Sequence, residues 1–176
     1  MKRVVFFLAA LAIAIVPALA QAEDAPPEVV FVFGPRVGAG MSFQDQASFS
    51  TGVSDIFGGG PYYPYYSLFG FNLEYRVLLG DSRDHFAIQM LLAGFGLEQS
   101  VFIPSGALLM GYRSWTGIEV GIGPVVNPSG IGVIVAVGYT FSFNGVYVPF
   151  DVSFQIPNAR LSPAIIISTG FNFLTD

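Results

Sequence analysis

The chain has 176 residues, of which 53% are hydrophobic and 11% charged, with no cysteine and a formal net charge of −5. The missing cysteine excludes disulfides, thiolate zinc sites and thiol chemistry, and an acidic balance without a basic patch argues against nucleic acid as a partner. A soluble surface normally carries many charges of both signs, and this composition supplies few.

The first twenty residues read as a secretory signal peptide. Met1-Lys2-Arg3 is basic, 4–16 is an apolar run, and Ala18-Leu19-Ala20 is a small-x-small site that predicts cleavage after about Ala20. A second such site, Ala20-Gln21-Ala22, follows. An N-terminal anchor is the competing reading, but the run is short for a membrane span. Loss of Lys2 and Arg3 leaves 5 Arg and no Lys against 12 acidic residues, a net of −7. No later apolar run approaches the ~18 residues of a spanning helix. A hydrophobic exported chain of this kind satisfies its backbone in a membrane by closing a β-barrel.

Residues 21–28 are polar and proline-containing, a short periplasmic lead. The barrel is expected over 29–176. The first strand, 29–43, places Phe31, Phe33, Val37 and Met41 on one face and Gly34, Arg36, Gly38 and Ser42 on the other. Pro35 predicts a local bulge. Residues 44–65 lose the alternation and read as the longest loop, extracellular if the N-terminus is periplasmic. The second strand, 66–79, turns Phe69, Phe71 and Tyr75 to lipid and Asn72, Glu74 and Arg76 inward. A polar turn at 80–83 leads to a third strand, 84–97, with Ile88 and Met90 outward and His85 and Gln89 inward; its apolar half around Leu91, Ala93 and Phe95 has no clear facing. A loop over 98–104 and a fourth strand, 105–112, are the least defined, and Arg113-Ser114 reads as a turn. The fifth strand, 115–126, faces Gly117, Glu119 and Gly121 inward.

Residues 131–155 give the strongest signal. Val133, Val135, Val137, Tyr139 and Phe141 alternate with Ile134, Ala136, Gly138 and Thr140. Asn144-Gly145 suits a two-residue type I′ hairpin turn. After it, Val148, Phe150 and Val152 share one face, and Pro149, Asp151 and Ser153 the other. The eighth strand, 161–174, puts Ile165, Ile167, Phe171 and Phe173 outward. Bulky apolar residues on one face and small or polar ones on the other fit a closed, antiparallel, eight-stranded transmembrane barrel with lipid outside and a polar lumen. Aromatics gather near the periplasmic strand ends, as an interfacial girdle requires.

Export signal, alternating strands and an aromatic-rich last strand, Gly170-Phe171-Asn172-Phe173, resemble the small outer-membrane barrels of Gram-negative bacteria: the OmpA transmembrane domain, OmpX and OmpW. The resemblance implies outer-membrane lipid as surroundings, barrel-insertion machinery reading the last strand, and a monomer. An OmpW-like role implies a narrow conduit for small apolar molecules.

Candidate sites are few. Inward Arg36, Glu74, Arg76, Glu119 and Asp151 are expected to form a lumen charge network. Eight strands leave an interior that side chains fill, so the network reads as a plug; the OmpA resemblance suggests a gate instead. Tyr62, Tyr63, Tyr65 and Tyr66 in the long loop are candidate contacts for an extracellular ligand or surface partner, although a membrane belt uses tyrosine too. His85, with Ser82 and Asp84 beside it, is too little to support a catalytic triad, and no cofactor, metal or catalytic site is predicted. The expected role is non-enzymatic, in envelope structure or surface interaction. A soluble periplasmic lipocalin-like carrier is the remaining alternative, and it requires a polar exterior.

Overall fold

The computed structural model describes residues 29–80, 84–143 and 146–174. The signal peptide and the lead, residues 81–83 of the expected polar turn with Ser82 among them, and Asn144-Gly145 lie outside the described residues. The elements are β1 (Val29–Ser42), α1 (Gln46–Phe57), β2 (Tyr65–Leu78), β3 (His85–Phe95), a 3-10 turn (Leu97–Gln99), β4 (Ile103–Arg113), β5 (Ile118–Asn127), β6 (Gly130–Phe143), β7 (Val146–Ile156), β8 (Ala164–Gly170) and β9 (Asn172–Leu174).

From β1 to β8 each strand pairs antiparallel with the next. β1 pairs with β2 on one edge and with β8 and β9 on the other, which closes the ring. β8 and β9 share one register against β1 and β7, so they form a single stave broken at Phe171. The result is a closed antiparallel barrel of eight staves. Closure leaves no free sheet edge. Both described chain ends, Val29 and Leu174, lie at one end of the barrel, here called the terminal end. The segments 43–64, 96–102 and 157–163 lie at the loop end.

The alternation of the sequence becomes the two surfaces of the wall. Phe31, Phe71, Leu92, Met110, Val137 and Phe150 are exposed outside, while Val32, Asn72, Glu74, Ser153 and Ser168 are buried inside. This is the surface of a membrane-spanning barrel. It overturns the lipocalin-like alternative, because the exterior is apolar rather than polar. The hairpin at 131–155 has the expected register, with Phe143 opposite Val146.

Three local expectations are corrected. Pro35 causes no bulge: β1 runs in one register past β2, with Pro35 opposite Phe71. The break falls on the other edge instead. Proline has no N–H to donate, and only Phe171 N–H reaches across, to the Pro35 carbonyl at 3.3 Å. There the Phe171 carbonyl lies so close to Gly34 that a Cβ at that position would stand 1.5 Å from its oxygen. β4 is longer than expected, starting at Ile103 and carrying Arg113 as its last residue.

The largest correction is α1, within the segment read as an unstructured loop. Phe49, Val53 and Ile56 recur at helical spacing, a period that strand alternation hides. Asp45 caps the helix, its Oδ1 accepting from Ser48 N–H at 3.0 Å. Gly58 ends it at φ +73°, and its N–H donates to Ser54 O at 2.8 Å. Val53 packs with Tyr62 and Val101, and Phe49 and Ile103 lean on that cluster. Tyr62 is held further by its N–H to Ser50 Oγ at 3.0 Å and its hydroxyl to Gly58 O at 2.6 Å.

The cap bond holds the Asp45 carboxyl below its ordinary value of 3.8. A lowered folded-state pKa gives stability that is complete above the unfolded value and is lost as the pH falls through the folded one. The helix therefore keeps its cap at neutral pH and loses it in strong acid. Asp45→Ala is expected to bring that looseness to neutral pH, seen as faster proteolytic cutting within 46–57 while the barrel stays intact.

Candidate functional site

Six ionisable side chains meet in the lumen, on five staves. Arg36 (β1) donates from Nη1 to Asp151 Oδ2 (β7) at 2.9 Å. Arg76 and Glu74 are two apart on β2, hence on one face, and Arg76 Nε donates to Glu74 Oε1 at 2.8 Å. Arg113 (β4) donates from Nη2 to Glu74 Oε2 at 3.1 Å, and the same nitrogen stands 2.9 Å from Glu74 Oε1 in an ion pair. It also pairs with Glu119 (β5) and donates to the Thr140 hydroxyl (β6). That hydroxyl in turn donates to Glu119 Oε1 at 2.8 Å. The Arg76 guanidinium stacks over the Tyr147 ring at 4.5 Å from its centroid, a cation–π contact.

All five residues expected in the network are brought together, and Arg113 joins them. Arg113 was read as a turn residue. The inward parity of Ala107, Leu109 and Gly111 extends to position 113 and was the signal that could have found it. Three arginines face three acidic side chains, so bases and acids are matched in number. Charge buried this deeply persists only when paired, and Glu74, with no exposed surface, serves two partners at once.

Toward the loop end the lumen turns apolar. Leu68, Ala107, Leu109, Val125, Ile134 and Ile166 form a buried cluster, with Leu91, Ala93 and Phe95 packed against it. These residues, whose facing the sequence left open, point inward. The cavity within this collar has a volume of about 30 Å³, and the cavity within the charge network is of the same size. Each holds little more than one water molecule.

Above the collar opens a vestibule of about 460 Å³, between α1 and the opposite rim at Asn127, Arg160 and Ser162. Its floor includes Phe95, Val125 and Ile166. The four loop tyrosines divide here. Tyr62 is buried and unavailable to a partner. Tyr66 lines the vestibule, edge-on to Phe95 with centroids 5.1 Å apart. Tyr63 and Tyr65 are exposed and stacked at 5.4 Å. A clasp from the 3-10 turn holds this segment: the Gln99 amide accepts from Tyr63 N–H at 2.6 Å and donates to Tyr65 O at 2.6 Å, and Glu98 accepts from Ser67 N–H at 3.0 Å. Burial opposes ionisation of Glu98, but the Ser67 and Gln99 donors prevail and hold its carboxyl below the usual range.

His85 lies half-buried at the terminal end, and Asp84 beside it accepts from Trp115 N–H at 2.9 Å. Among the described residues no group of three or more His, Cys, Asp or Glu is placed to hold a metal.

No protein-family profile matches the chain, and no curated protein matches it. Among solved structures it is similar to the solid-state NMR structure of the outer membrane protein AlkL in DMPC lipid bilayers, with 14% identity over 89% of this chain and 93% of that one and a TM-score of 0.42.

Proposed function

We propose that this chain is a bacterial outer-membrane barrel, exported by a signal peptide cut after about Ala20, that is closed to through-flow and serves envelope structure and surface contact. The terminal end faces the periplasm and the loop end faces outward. The observation that carries this reading is the filled lumen: collar and ion network leave only cavities of about 30 Å³. Lipid surrounds the apolar wall, insertion machinery engages the last stave, and the barrel works as a monomer. An extracellular partner meets the vestibule and the stacked Tyr63 and Tyr65, and no step calls for an enzyme.

A second reading rests on the vestibule. Its volume of about 460 Å³ and its partly apolar floor suit a small ligand, and the conduit for small apolar molecules starts from that same recess.

Conductance of the full chain in a planar bilayer tests both. No current steps are expected, and resolved steps would overturn the closed-lumen reading. Uptake of a small apolar dye into proteoliposomes above the protein-free rate would favour the conduit.

A further inference from the structure

Beneath the ion network, at the terminal end, the barrel opens into a second basin of about 400 Å³. Arg76, His85, Arg113, Thr140, Ser142 and Tyr147 line it, and among the described residues no carboxylate does. The network above it is polarised along the barrel axis. Glu74, Glu119 and Asp151 line the small inner cavity; Arg76 lines the basin alone, and Arg113 lines both. Two of the three guanidinium groups, those of Arg76 and Arg113, thus lie toward the mouth with carboxyl groups behind them, while Arg36, paired with Asp151, lines neither cavity. The nearby Asp84 is turned to Trp115 N–H. Arg113 also keeps a buried Nε–H that has no partner among the described residues.

We propose that this basin is an anion site that takes a phosphate group. Guanidinium forks match the spacing of phosphate oxygens. Arg76, His85, Arg113, Ser142 and Tyr147, on five staves, bring nitrogen and hydroxyl groups to its wall. The rim carries the exposed Trp115, Phe141 and Phe143, so the phosphate of a lipid headgroup and a free phosphate ion share this chemistry. The site stands on the barrel's geometry and requires no particular role for the vestibule.

Trp115 is the chain's only tryptophan and lines the basin, so its emission reports occupancy. The full chain in a phosphate-free maltoside detergent is titrated with inorganic phosphate at constant ionic strength, and separately with micelles containing phosphatidylglycerol. A saturable change with inorganic phosphate identifies a soluble ligand, and a saturable change with the lipid alone identifies a headgroup. Ser142→Glu places a carboxylate at an exposed position in the basin and is expected to weaken the apparent affinity about tenfold or more by like-charge repulsion. Thr51→Glu, on α1 at the opposite end, is expected to leave it unchanged. No saturable change in either arm, an equal response to chloride, or a Ser142→Glu variant that binds like the parent would each overturn the proposal.

Discussion

Glu74→Ala is expected to destabilise the barrel by about 3–5 kcal/mol, the cost of removing one partner from a buried ion pair. The loss is large because Glu74 faces Arg76 and Arg113 together, at 2.8 and 2.9 Å. Without it Arg113 keeps Glu119, but among the described residues Arg76 keeps only the ring of Tyr147. A cation only 3% exposed and left with a cation–π contact has lost its counter-charge. Urea titration in detergent micelles, followed by the mobility difference between unheated and boiled samples, measures the loss. Glu74→Gln keeps an acceptor for one arginine and should fall between the alanine variant and the parent. Tyr63→Ala, at the exposed rim, is expected to stay within about 0.5 kcal/mol of the parent, as surface changes do. A Glu74→Ala variant as stable as Tyr63→Ala would mean that the network contributes nothing to the fold.

Gly34→Ala is expected to prevent closure altogether. The new methyl carbon would stand 1.5 Å from the Phe171 carbonyl oxygen, which is backbone and has no rotamer to escape into. Relief requires β1 and β9 to part, and those two strands meet where the barrel closes. The expected result is loss of the compact unheated form, with the protein running at its boiled position in both lanes. Gly121→Ala is the matched control. A Cβ there meets Leu109 Cβ at 3.7 Å and Met110 O at 3.8 Å, ordinary contact distances. Retention of the compact form by both variants would show that the seam opens more easily than this geometry allows.

Much of this fold was legible because a barrel wall writes itself at period two. Phe69 outward and Asn72 and Glu74 inward follow from parity alone, and so does the meeting of Glu74 with Arg76 on one strand. The partner of Arg36 was not legible. Asp151 lies 115 positions away, and only the register of β1 against β8, and of β8 against β7, brings the two together. Arg113 was lost to a strand boundary drawn one residue short. α1 was lost for a different reason: Ser, Thr and Gly dilute its apolar face to Phe49, Val53 and Ile56, and its stability comes from Asp45 and from packing on Tyr62 and Val101. The vestibule depends on that helix, so no strand pattern could have shown it.

The long reach of the Arg36–Asp151 pair bears on how the chain enters a bilayer. Contacts between distant positions form late and slowly. Until the seventh stave arrives, the first carries a guanidinium group with no counter-charge, and hydrocarbon rejects such a group. A half-inserted intermediate is therefore penalised, and the staves enter together. Proteolysis timed against insertion should show protection arising in one step over the whole wall, with no stage at which the N-terminal half alone is shielded.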